Sequence, residues 1–284
     1  MIGLMHRSIA DALGAAHDWG AEHVGLALVG QVGVIDAVGD TQREFEWASV
    51  TKLATSVAVL RSVEQGRVSL DEPLGPPGAT IRHLLAHASG LGPEGTVPIS
   101  APERTRIYSN VGFDVLGERL AELAGRSIAE VLEADVLGPL GMRGTRLVGR
   151  ASAGMVGWLV DLAKLGQELL RPTLLQSATL ATAVTVAFPG LAGVLPGLGR
   201  YDPLDWGLGF ELKDAKAGHW SGSRTSPQAF GHFGGSGTFL WVDPEPGIAC
   251  VCLTDREFGD WALDAWPRLC DAVLDESSGF LSEA

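Results

Sequence analysis

A chain of 284 residues, 46% of them hydrophobic, is long enough to bury a sizeable core as one large domain or as two sharing an interface. With 34 acidic against 21 basic residues its formal charge is -13, and a surface field of that sign repels phosphate backbones and anionic lipid headgroups. Nucleic acid and membrane surfaces are therefore not expected as partners.

Residues Met1 to Ala10 lack the charged start, the apolar run of about seven or more and the small-residue cleavage site of a secretory signal, so a cytoplasmic location is expected. Gly, Pro or a charge interrupts every apolar run short of the roughly eighteen residues of a membrane span. Ser8 is placed to cap a helix with Ile9, Leu13 and Ala16 on one face, ending at Gly20. Apolar runs around Val24 to Val29 and Val32 to Val38 form a hairpin candidate about Gly30-Gln31.

Helical spacing then sets in from Val50 to Gln65, with Leu53, Val57, Leu60 and Val63 on one side and Gly66 as the stop. Further helices are expected from Ile81, after Thr80, to about Ala88, and from about Val111 to Ala124 before Gly125. Ser127 and Glu130 make a capping box for another, Ile128 to about Val136, and Val156 to Leu170 reads as the next. A Pro- and Gly-bearing stretch, Leu191 to Pro203, looks like a crossing between regions.

From Trp206 onward the runs are short and β-prone: Trp206 to Leu212, Thr238 to Val242 and Ile248 to Leu253, the last two joined by a turn at Asp243 to Gly247. Trp261 to Leu274 closes the chain as a helix bearing Pro267. Strands at both ends and helices between them predict an α+β fold: a sheet domain of residues 1–66 and 204–284, interrupted by a mostly helical domain of residues 67–203, with the active site at their interface. The three cysteines, Cys250, Cys252 and Cys270, have neither a C-x-x-C spacing nor an oxidising compartment, so buried free thiols are expected.

Three clusters carry chemistry. Ser49 and Lys52 form S-x-x-K at a helix start, where residues three apart share a face and the amine reaches the hydroxyl. A serine hydroxyl is a poor nucleophile until a base takes its proton, and a lysine serves when burial or neighbouring positive charge lowers its pKa. Alone, the pattern fits equally a capping serine beside a solvated lysine. Tyr108-Ser109-Asn110 stands just before a predicted helix, and His232-Phe233-Gly234-Gly235-Ser236-Gly237 precedes a predicted strand without the ending of a phosphate-binding loop.

In this order the three clusters resemble the serine β-lactamase and penicillin-binding protein superfamily, in the branch of class C enzymes, D-Ala-D-Ala carboxypeptidases and lactamase-like carboxylesterases. Leu84-Leu85-Ala86-His87-Ala88-Ser89-Gly90-Leu91 is similar to the family's L-L-x-H-x-S-G-L segment, and Trp206 to Phe210 and Gly237 to Pro244 match further segments. The resemblance implies an antiparallel sheet flanked by helices and a serine hydrolase without cofactor or metal, acting on a small ester or amide. Ser49 would attack the carbonyl, Lys52 and Tyr108 would accept and relay its proton, and Asn110 would orient Lys52 and the substrate. The oxyanion hole would be the amides of Ser49 and Gly235, with His232 and Gly234 on the substrate side.

His232 stands where the family has a lysine that helps hold a substrate carboxylate, and a neutral imidazole holds one less firmly. Arg224, in a segment that reads as a mobile loop, is a candidate for the missing charge. His83 and His87, four apart on one predicted helix face, have the spacing of a two-histidine metal site, but no third ligand is evident. An intracellular carboxylesterase on small or medium acyl esters is the favoured function. β-Lactam or D-Ala-D-Ala hydrolysis is the alternative, and a catalytically silent binding protein of the same fold the third reading.

Overall fold

The computed structural model of the protein describes residue 11 and residues 13–281. Leu13 and Ala16 are buried, as the amphipathic spacing requires, and a 3-10 turn, Ala15–Trp19, ends at Gly20; Ser8 and Ile9 of the expected helix lie outside the described residues. Strands β1 (Val24–Gly30) and β2 (Gly33–Gly39) form the expected hairpin, turning at Gln31-Val32, one residue later than the Gly30-Gln31 read from sequence. Strand β3 (Phe45–Glu46) leads into a 3-10 turn, Ala48–Val50, and helix α1 (Thr51–Glu64). The first ten residues of α1 are all buried, so it is a central helix with no water-facing side over that span.

Helix α2 (Ile81–Leu85) is shorter than the expected run to Ala88, because His87 adopts φ 54°, in the left-handed region. Strand β4 (Arg106–Ile107) precedes α3 (Asn110–Ala124), which Ser109 caps by accepting from the Gly112 amide at 3.1 Å. The Ser127/Glu130 capping box starts α4 (Ile128–Leu132), and one wider turn, Glu133–Leu137, continues it. Strands β5 (Arg146–Leu147) and β6 (Met155–Gly157) follow; Val156, expected in a helix, pairs instead with Glu46, and α5 (Leu159–Leu170) begins after Trp158.

Helix α6 (Ser177–Ala183), which has no strong periodicity in the sequence, precedes the expected crossing. That crossing contains β7 (Gly193–Leu195), parallel to β4, and β8 (Gly199–Tyr201). The strand expected over Trp206 to Leu212 shrinks to β9 (Glu211–Leu212), since the Gly207 amide donates back to the Phe210 carbonyl and Gly209 stands at φ 95°. Strand β10 (Phe230–Gly234) has no forecast because its two glycines dilute the strand signal. Strands β11 (Thr238–Asp243) and β12 (Ile248–Thr254) form the predicted hairpin, and α7 (Asp260–Leu281) carries Pro267 internally.

The main sheet is antiparallel, in the order β2-β1-β12-β11-β10-β9. Alternation along its strands splits the core in two. Ala249, Val251, Leu253, Leu240 and Val242 face one cluster with Leu53 and Val57 of α1 and Leu162 and Leu165 of α5, and Cys250, Cys252, Phe239 and Trp241 face the other with Trp266, Leu269 and Cys270 of α7. Both faces are covered, which is why β11 and β12 read as unbroken apolar runs. Helix α5, although it falls inside the 67–203 span, packs on β1, β11 and β12. All three cysteines are free and buried, and no described helix is long and apolar enough to cross a membrane.

Candidate active site

Ser49 sits in the turn before α1, and the residue ahead of it, Ala48, is held at φ 44°. A non-glycine residue there is strained, and such strain persists only where the surroundings over-determine it. Here they do: the Trp47 amide donates to Met155 O, Thr51 Oγ1 accepts from the Met155 amide, and Thr238 Oγ1 donates to Trp47 O. Gly234 completes the clamp, because a Cβ there would lie 2.6 Å from Trp47 O. The end of β10 therefore packs directly beneath the Ser49 turn, with Gly234 against it.

One turn on, Lys52 is fully buried, with Nζ donating to Asn110 Oδ1 at 2.8 Å and to Ser152 O at 2.8 Å and, when protonated, to Ser49 Oγ at 3.2 Å. Burial lowers its pKa to about 7, partly opposed by Asp114 and reinforced by Arg150. A neutral amine has two N–H groups and one lone pair. Asn110 and Ser152 take the two N–H groups in the shorter contacts, which leaves the lone pair for the Ser49 hydroxyl.

Tyr108 O–H donates to Ser49 Oγ at 2.7 Å, and its ring lies 4.7 Å from Lys52 Nζ. Burial raises its pKa, so at neutral pH it is a phenol. On its far side, at 3.5 Å, stands His232 Nε2. His232 Nδ1 lies 2.6 Å from Phe233 O, an acceptor only, so Nδ1 carries the proton and Nε2 a lone pair. Burial and the nearby Lys52 push the His232 pKa down to about 3, so the imidazole is neutral.

The structure thus brings Ser49, Lys52, Tyr108, Asn110 and His232 into one connected cluster, with Gly235 at its mouth. In front of Ser49 lies a cavity of about 220 Å³ walled by Tyr108, His232, Gly235, Leu195 to Gly197, Phe233 and Phe258. Among the described residues no charged side chain lines it. The amides of Ser49 and Gly235 donate to no other group among the described residues.

Arg224 does not serve this cavity. Its guanidinium pairs with Asp275 at 2.8 Å and its amide donates to Asp271, while Ser221, Thr225 and Ser226 of the supposed mobile loop are buried and hydrogen-bonded. Nor do His83 and His87 form a pair, since α2 ends before His87. His83 is held between Thr80 and Glu103, and the candidate metal cluster among the described residues is elsewhere, at Glu22, His23 and Asp255.

Sequence reasoning missed two elements of the site. Ser152 contributes only its carbonyl, which no residue-type motif reveals. Glu94 accepts from Asn110 Nδ2 at 2.9 Å and pairs with Arg150, itself held by Asp114; these charges lie in loops and on a helix face without a repeating signal.

With this geometry in view, the family model described as Beta-lactamase matches residues 39–272. The chain belongs to the beta-lactamase family. A solved beta-lactamase from Mycobacterium bovis is 47% identical, covering 94% of this chain and 99% of that one with a TM-score of 0.92, so the α+β fold is that of the family's solved members. EstCE1, described as a hydrolase with promiscuous acyltransferase activity, shares the fold at 20% identity, with a TM-score of 0.76 over 96% of this chain and 99% of its own. Among curated relatives, the Escherichia coli (strain K12) D-alanyl-D-alanine-carboxypeptidase/endopeptidase AmpH is 31% identical over 34% of this chain and 35% of its own length. Esterase EstB of Burkholderia gladioli is 30% identical over 35% and 37%. The chain spans about a third of the length of these curated relatives.

Proposed function

We propose that this protein is an intracellular carboxylesterase that cleaves small, uncharged acyl esters through an acyl-enzyme on Ser49. The observation that carries the choice of substrate is the wall of the cavity: apolar side chains, the Ser49 and Tyr108 hydroxyls and one neutral imidazole, His232, with no cation among the described residues to hold a substrate carboxylate. A buried ion pair to such a carboxylate would need a fixed positive partner.

In the proposed reaction the Lys52 lone pair takes the Ser49 proton as Oγ attacks the ester carbonyl. The amides of Ser49 and Gly235 receive the charge that develops on the carbonyl oxygen. Tyr108, protonated and in contact with Ser49 Oγ, hands its proton to the departing alcohol and is reprotonated from Lys52. Water then attacks the acyl group with the same residues in reversed roles. Asn110 holds Lys52 through Oδ1, and one of its two Nδ2 hydrogens is donated to Glu94, which leaves the other for substrate.

Lactam hydrolysis is the second reading, favoured by the 47% identity to the Mycobacterium bovis beta-lactamase. Hydrolysis of p-nitrophenyl butyrate and of a chromogenic cephalosporin by the wild type, beside Ser49→Ala, separates the two. Turnover of the ester that Ser49→Ala lacks is expected; preference for the cephalosporin would replace the esterase reading, and equal rates in both proteins would end the Ser49 assignment.

A further inference from the structure

His87 reaches the segment that carries Tyr108 and Asn110 from both ends of its own structure. Its carbonyl accepts from the Ile107 amide at 2.9 Å, and its imidazole Nδ1 accepts from the Ser109 amide at 3.1 Å. These are the amides on either side of Tyr108. The imidazole ring also lies 4.7 Å from the Tyr108 ring and 4.8 Å from that of Trp206, and the residue is 1% exposed. One residue makes both polar contacts only because its backbone, at φ 54°, turns carbonyl and side chain toward the same segment.

We infer that His87 is a positioning residue: its imidazole Nδ1, by fixing the Ser109 amide, sets the direction in which the Tyr108 hydroxyl and the Asn110 carboxamide point at Ser49 and Lys52. This rests on the catalytic reading above for its consequence, though not for its geometry. The segment between β4 and α3 has no ladder partner of its own at Ser109, so without an acceptor at Nδ1 that amide is buried and unpaired, a loss the segment relieves by turning. A small rotation there is carried directly to Tyr108 Oη, at the end of a long rigid side chain, and misplacement by about 1 Å costs on the order of a hundredfold in rate. Asparagine carries an acceptor oxygen at nearly the position of Nδ1 and tolerates left-handed backbone. Phenylalanine keeps the ring and loses the acceptor.

The two variants therefore make opposite predictions for an acceptor and for a packing role. With p-nitrophenyl butyrate, below the melting temperature of each protein, His87→Phe is expected to lose kcat by about 30-fold or more with KM within about threefold, whereas His87→Asn keeps kcat within about fivefold despite losing ring contacts. Amide hydrogen exchange at Ser109 is read in the same proteins: faster by at least about tenfold in His87→Phe, near wild type in His87→Asn. A His87→Phe protein with wild-type kcat and Ser109 protection, or a His87→Asn protein that loses both, would overturn the inference. Should the wild type show no Ser49-dependent turnover, the catalytic reading fails by itself, and Ser109 exchange still decides whether the imidazole holds the segment.

Discussion

Lys52 Nζ stands 3.2 Å from Ser49 Oγ, and no ion pair among the described residues includes it. That combination is what the proposed base requires. An amine bound to a carboxylate would stay protonated well above neutrality; burial among a carboxamide, a carbonyl and two aromatic rings instead brings its pKa to about 7. Activity on a neutral ester should therefore rise with pH as Lys52 loses its proton, with the midpoint of kcat/KM near 7. His232, neutral down to about pH 3, adds no second acid limb above that. A pH–rate profile flat from pH 5.5 to 8.5 would remove Lys52 as the titrating base.

The same burial makes Lys52 a stability term with a definite sign. The unfolded chain keeps its lysine protonated up to the ordinary lysine value of 10.5, whereas the folded protein releases the proton near 7, so between these values the unfolded state binds more protons and stability from this group rises with pH. The full penalty acts below about pH 7. Wild type compared with Lys52→Met in urea should gain on the order of 3 kcal/mol between pH 7 and 10. The comparison is of slopes, so the unpaired Asn110 Oδ1 and Ser152 O in the variant drop out of it. Parallel stability curves would mean that the amine is not desolvated. Activity of the variant should fall by about a thousandfold or more.

Tyr108 offers a different separation. Its hydroxyl is the part that touches Ser49, while its ring packs against His87 and Trp206. Tyr108→Phe preserves the ring, so acylation measured in a single-turnover burst should slow by about a hundredfold while the melting temperature moves by only a few degrees. A large drop in melting temperature with near-normal acylation would make the residue structural.

The meeting of Ser49, Lys52, Tyr108 and Asn110 was legible because each is a residue type with a fixed spacing from a helix start, and helix starts announce themselves: Ser109 caps α3, and the apolar positions of α1 recur at helical intervals. The central strands β11 and β12 of the sheet were legible for a related reason, since they are apolar on both faces. What escaped were features fixed by tertiary contact. Strand β10, which brings His232 to Tyr108, has glycine at two of five positions, and Gly234 is there because Trp47 O lies too close for a Cβ. The left-handed turn at His87, which cuts α2 short and turns the histidine from a metal candidate into a partner of Ser109, leaves no mark in hydrophobic periodicity. Ser152 O is a backbone atom, and Arg224 looked available only while Asp275 was far away in sequence.

His232 tests the proposed substrate class most directly. Its Nδ1–H is committed to Phe233 O and its Nε2 lone pair faces Tyr108, so it offers an anionic substrate no donor. His232→Lys puts a cation at the same point of β10, beside the cavity. A charge-assisted hydrogen bond to a substrate carboxylate contributes roughly 1.5–3 kcal/mol, so the ratio of kcat/KM for a carboxylate-bearing cephalosporin to that for p-nitrophenyl butyrate should rise about 10- to 100-fold. The new charge also disfavours protonated Lys52 and should move the acid limb for the ester below its wild-type midpoint. A shifted limb with an unchanged ratio would show that the lysine is in place and charged, and that discrimination against carboxylates does not reside at position 232.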